Sequence, residues 1–72
     1  MLAEKNTVEI TYIEKEIIKL IAKEVSNKDI AKELNYSQRN IEYYISDLLK
    51  KFEVQTRVGI VVKSIVLGII TL

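Results

Sequence analysis

Apolar residues return at spacings of three and four in four separate blocks of this chain, and a hydroxyl side chain stands ahead of each block. That pattern predicts four helices. In the first, Ile13, Ile17, Leu20 and Ile21 form the stripe, with Glu14, Glu16, Lys19 and Lys23 expected on the other side. Thr11 and Glu14 have the spacing of a capping box, in which each satisfies a free amide of the other's backbone. The second helix opens at Ser26, with Asp29 three residues on, and buries Ile30, Ala31 and Leu34. Asn35 is a fitting stop, because Asn tolerates the left-handed conformation that ends helices. The third opens at Ser37 and carries Ile41, Ile45, Leu48, Leu49 and Phe52. The fourth is expected from near Thr56 to about Ile70, on the spacing of Val58, Val61, Val62, Ile65, Val66 and Ile69. It is rich in β-branched residues, so a strand over 60–62 is the competing reading.

Residues 26–52 therefore read as a short helix, a turn of about three residues and a longer amphipathic helix. A helix-turn-helix presents a reading helix to a major groove with that arrangement. A small helical bundle with no such role contains similar pairs, and pattern alone does not separate the two.

Composition narrows the field. Seventy-two residues make one small domain with an aliphatic core, since there is one Phe and no Trp. With no Cys and no His, the chain lacks disulfides, the usual transition-metal ligands and the commonest catalytic base. Glu14 and Glu16 lie two apart on a helix and do not face each other. No enzyme is expected, and no cofactor or metal. Net charge is only +1: residues 1–26 hold four Lys against five Glu, and 27–72 hold seven Lys or Arg against five acids. Tight nonspecific DNA binding is not expected from that balance. Residues 1–9 are expected to form a partly disordered leader and 10–72 the domain. The first residues lack the apolar core of a secretory signal, so a cytoplasmic protein is expected.

Several segments taken together resemble the GerE/LuxR-type DNA-binding domain. Its opening L-T-x-R-E-x-E-V-L is matched by Ile10-Thr11-Tyr12-Ile13-Glu14-Lys15-Glu16-Ile17-Ile18. Its S-N-K-E-I-A-x-x-L is matched by Ser26-Asn27-Lys28-Asp29-Ile30-Ala31-Lys32-Glu33-Leu34. Its reading helix S-x-K-T-V-K-x-H stands against Ser37-Gln38-Arg39-Asn40-Ile41-Glu42-Tyr43-Tyr44. Its final K-L-x-V-x-x-R-x-x-A-V stands against Lys51-Phe52-Glu53-Val54-Gln55-Thr56-Arg57-Val58-Gly59-Ile60-Val61. The run Arg39-Asn40-Ile41-Glu42-Tyr43 also resembles Bacillus competence response regulators, where R-S-I-E-Y stands. The departures fall on function: Glu42 replaces a Lys, Tyr44 a His, Asn40 a Thr and Ile13 an Arg. Glu24 and Glu53 replace glycines. The resemblance implies an all-α, four-helix helix-turn-helix domain with helix 4 as its dimer contact. It also implies that Glu16 and Arg57 form a structural ion pair.

On this reading the candidate DNA contacts are Asn27, Lys28, Ser37, Gln38, Arg39, Asn40, Glu42, Tyr43, Ser46, Lys50 and Lys51. Arg39, in the first turn of helix 3, is suited to a guanine edge or a phosphate. Gln38 and Asn40 suit phosphate or adenine, and Asn40 equally suits the cap. Tyr43 faces outward, whereas Tyr44 belongs to the core boundary. The family uses the position of Ser46 in the groove. Asn27 and Lys28 open helix 2, whose amides attract phosphate. Lys50 and Lys51 suit a flanking phosphate or merely the helix dipole. Glu42 removes a cationic donor and supplies an acceptor for cytosine N4.

Helix 4 is the odd one. From Val58 to Leu72 the one charge is Lys63, while a helix in a small bundle needs a single apolar face. Its surplus predicts a dimer or partner interface over Val58, Val61, Val62, Ile65, Val66 and Ile69. Interfacial membrane contact and pure core are the alternatives; a span is too short at about fifteen residues where roughly 20 are needed. The expected protein is a stand-alone bacterial or phage transcription regulator that binds double-stranded DNA as a homodimer. Nothing in the chain resembles the receiver or sensing domain that usually precedes this module. The rival is an interaction protein that forms heterodimers with another LuxR-type regulator through helix 4. Contact with RNA polymerase fits either.

Overall fold

A computed structural model describes residues 8–71. Four helices follow one another: α1 (Tyr12–Ala22), α2 (Asn27–Leu34), α3 (Gln38–Phe52) and α4 (Arg57–Val66). Among the described residues there is no strand, so the chain is all-α and Ile60 to Val62 are helical. Of the leader expected over 1–9, residues 1–7 lie outside the described part. Val8 and Ile10 pack against the core.

Each helix opens as its sequence dictates. The hydroxyls of Thr11, Ser26, Ser37 and Thr56 accept from the amides of Glu14, Asp29, Asn40 and Gly59. At Thr11 the box is complete, for its own amide donates to Glu14 Oε1 at 2.9 Å. Such caps are worth about 1 kcal/mol each.

The four helix ends share a second device. After each, one residue turns left-handed: Glu24, Asn35, Glu53 and Gly68, with φ of 64°, 63°, 57° and 76°. The amide after it then reaches back to a carbonyl five residues earlier: Val25 to Leu20, Tyr36 to Ala31, Val54 to Leu49 and Ile69 to Ser64. This paired closure is the Schellman motif. Gly occupies it once; the two glutamates bear a Cβ strain of about 1–2 kcal/mol each.

The core is a single aliphatic cluster. Ile17, Ile18, Leu20 and Ile21 of α1 meet Ile30 and Ala31 of α2, and Ile41, Ile45, Leu48 and Phe52 of α3. Ile60 of α4 and Ile70 close it. α2 packs on α3, while α4 lies against both α1 and α3. Gly59 permits that approach, since a Cβ there would stand 2.7 Å from Val54 Cβ.

Three expectations need correction. Helix 4 stops at Val66 because Gly68 reverses the chain, and Ile70 folds back into the core instead of extending the helix. Glu14 is not on the outer side of α1; it is 6% exposed, turned in by its cap bond and by Lys51. Ile18, absent from the expected stripe, is fully buried.

Candidate nucleic-acid interface

Residues 35–37 make the turn between α2 and α3. Asn35 reverses the chain, the Tyr36 amide returns to Ala31 at 2.8 Å, and Ser37 starts the next helix. The Tyr36 ring leans edge-on against Tyr44, with centroids 5.9 Å apart and planes at 72°. That contact is worth about 1 kcal/mol and braces the turn against α3. The boundary place expected for Tyr44 is where it sits, half-buried.

With Ile41, Ile45, Leu48 and Phe52 buried, the opposite side of α3 must face solvent. Arg39, Tyr43, Ser46 and Lys50 succeed one another there, all exposed, and Tyr43 is 60% exposed. Glu42 lies on the flank of that ridge, where Gln38 Nε2 donates to its Oε2 at 3.3 Å. Ser37 and Asn40 are exposed but share a cap bond of 3.0 Å between the Asn40 amide and Ser37 Oγ. Lys28 is exposed in the first turn of α2. The free charges along α3 nearly cancel, with Arg39 and Lys50 set against Glu42 and Asp47.

Two further candidate contacts are engaged by other segments of the domain. Asn27 is half-buried, and its Oδ1 accepts from the Arg57 guanidinium. Arg57 also donates to the Val25 carbonyl at 2.7 Å. The expected Glu16–Arg57 pair does not form: Glu16 bonds Lys19 at 3.3 Å, and Arg57 clasps the segment that opens α2. Lys51 Nζ lies 2.9 and 3.1 Å from the Glu14 carboxylate and 3.1 Å from the Glu9 carbonyl. It is spent on tying α3 to α1. Burial alone would push the Glu14 carboxyl up, but the Thr11 amide and the Lys51 ammonium together hold it below its ordinary value. Missed from the sequence were Tyr36 as a positioning group, the tie of Glu14 to Lys51, and the clasp of Arg57 on Asn27 and Val25. Their partners are remote in sequence or on another element, so local periodicity carries no sign of them.

α4 exposes a second face. Val58, Val62, Ile65, Val66 and Leu67 lie on the surface, with Val58 and Val66 more than two-thirds exposed at 70% and 73%. Val61 and Ile69, expected on that face, are half-buried against the core. Ile60 and Ser64 supply the buried side, and the Ser64 hydroxyl has no partner among the described residues. An open groove continues the apolar face, running past Val58, Val61 and Val62 to Ile21 and Ala22 of α1 and Val25 in the turn that follows it. No described helix is long and apolar enough to cross a membrane.

Residues 7–64 match the family of bacterial regulatory proteins of the luxR type. The chain belongs to the luxR family. Among curated relatives, this luxR-family domain is 36% identical over 55 residues to the transcriptional regulatory protein DesR of Bacillus subtilis. That match covers 76% of the chain and 28% of DesR. It is 32% identical over 53 residues to the probable transcriptional regulator ycf29 of Guillardia theta, covering 74% of the chain and 26% of ycf29. The luxR-family chain thus matches about a quarter of the length of either relative. No solved structure gives a significant match.

Proposed function

We propose that the chain binds double-stranded DNA sequence-specifically as a homodimer and so regulates transcription, with α3 in the major groove. The observation that carries the reading is the outward ridge Arg39–Tyr43–Ser46–Lys50 on a helix whose other side is buried. A helix so held has its polar side chains free for base edges and phosphates. The names of DesR and ycf29 support the regulatory half of the proposal. The exposed valines of α4 support the dimer. The reading requires that pairing two copies there set the two α3 helices about 34 Å apart, one turn of DNA. In this reading Arg39, Tyr43, Ser46 and Lys50 make the central contacts, and Gln38, Glu42, Asn40, Ser37 and Lys28 flank them. Asn27 and Lys51 contribute by holding α2 and α3 in place.

Selection of bound DNA from a random pool, followed by sizing of the complex, tests this. The expected product is a two-fold repeated site bound by two chains, with affinity falling as salt rises. Arg39→Ala should cost about 1–3 kcal/mol of specific affinity. The reading fails if no pool sequence is retained in a salt-sensitive way.

A second reading is favoured by the near-cancelling charges along α3. The chain would then pair through α4 with another luxR-family regulator and weaken its hold on DNA. It predicts no DNA binding by the chain alone, and loss of the other regulator's DNA complex when the chain is titrated in.

A further inference from the structure

We propose that Glu42 is a specificity-determining residue that selects a cytosine in each half-site, and that Gln38 positions it. The inference rests on the DNA-reading role proposed for α3.

Glu42 has two nearby groups that compete for its carboxylate. Arg39 lies one turn before it at a spacing of three, which often yields an ion pair. Among the described residues that pair does not form, and Arg39 makes no salt bridge. Instead Gln38, at a spacing of four, donates to Glu42 Oε2 at 3.3 Å. The arrangement has two effects. Arg39 keeps its whole donor fork for another partner. Glu42 is exposed on the flank of the ridge and held through Oε2, which leaves its second acceptor, Oε1, for an incoming donor.

A carboxylate offers acceptors alone. In the major groove, guanine presents N7 and O6 and thymine presents O4, all acceptors that repel it. Adenine offers N6–H, but its N7 acceptor stands alongside. Cytosine N4–H₂ is the donor without an adjacent acceptor on its own base, and its guanine partner suits a nearby Arg. A phosphate is a poor neighbour for the same carboxylate. The residue that lowers general attraction to DNA thereby becomes a filter on sequence.

The test compares pool selections by the full chain and by Glu42→Gln and Gln38→Ala, with thermal melts confirming that each variant is folded. For the parent, the expected result is a cytosine preferred about tenfold at one position of each half-site. Glu42→Gln should move that position towards adenine, which a side-chain amide pairs bidentately, and leave the other positions unchanged. Gln38→Ala should reduce the cytosine preference about fivefold without changing its identity. If Glu42→Gln raises affinity for all sequences alike and the preferred site is unchanged, Glu42 is a repulsive surface charge and the proposal is overturned. A cytosine preference untouched by Gln38→Ala overturns the positioning role of Gln38. Failure of the parent to bind any DNA is a separate result, which removes the DNA-reading role itself and this inference with it.

Discussion

The outer faces of α3 and α4 solve opposite problems. α3 buries Ile41, Ile45, Leu48 and Phe52 and shows water a ridge of polar side chains. α4 buries Ile60 and Ser64 and leaves valines outside, with a buried hydroxyl that has no partner among the described residues. Packing explains all of α3's apolar stripe but only part of α4's. The difference teaches what the proposed function asks of each helix: α3 would meet a polar partner that need not exclude water, and α4 an apolar one that must.

The largest expected effect comes from spoiling the apolar side. Val62 is exposed, so Val62→Glu should leave the fold intact. It should turn the proposed dimer into a monomer by sizing and lower DNA affinity by about 10²–10⁴-fold through loss of two-site binding. An unchanged elution volume would mean that α4 is not the contact. Arg39→Ala should do the reverse, weakening DNA binding while the dimer persists.

A middle-sized effect belongs to the tie that sets α3 on α1. Glu14→Gln keeps the cap acceptor but removes the charge facing Lys51, and should cost about 1–3 kcal/mol by denaturant titration. The same carboxylate makes stability depend on pH. Its folded value lies below its ordinary 4.5, so its contribution is full above the unfolded value and is lost as pH falls through the folded one. The parent should therefore lose stability on acidification to an extent that Glu14→Gln does not match. Parallel pH curves for the two proteins would discount the tie.

The smallest effect concerns how each helix ends. Glu24→Gly and Glu53→Gly relieve a left-handed Cβ and should each add about 1 kcal/mol. The gain at Glu53, just beyond α3, should leave the sequence preference of the reading ridge untouched. A loss of stability in either variant would mean that the glutamate side chain contributes more than its backbone costs.

Much of this fold was legible because its signals are local. Thr11, Ser26, Ser37 and Thr56 announce helix starts within four residues, and the stripe of α3 dictates which residues face out. Asn35 named the turn. What escaped the sequence depends on distance. Glu14 looks like an outward charge until Lys51, thirty-seven positions on, is brought to it. Arg57 was assigned to Glu16, but tertiary packing delivers it to Asn27 and the Val25 carbonyl. The stop of α4 was overlooked for another reason. Apolar spacing runs on through Ile69, and the reversal at Gly68 serves to return Ile70 to the core. On the candidate interface, the outward ridge followed from periodicity, while the engagement of Asn27 and Lys51 did not.

The chain has no tryptophan, so its near-ultraviolet emission comes from four tyrosines, and the fold has sorted them by surroundings. Tyr36 and Tyr44 touch each other across the turn, while Tyr12 and Tyr43 stand in water. With Tyr12→Phe in the background, Tyr43 is left as the most exposed tyrosine, on the outer ridge of α3. If α3 enters a groove as proposed, adding DNA should quench the Tyr43 emission, while the Tyr36–Tyr44 pair sits at the turn as an internal reference, with no external dye.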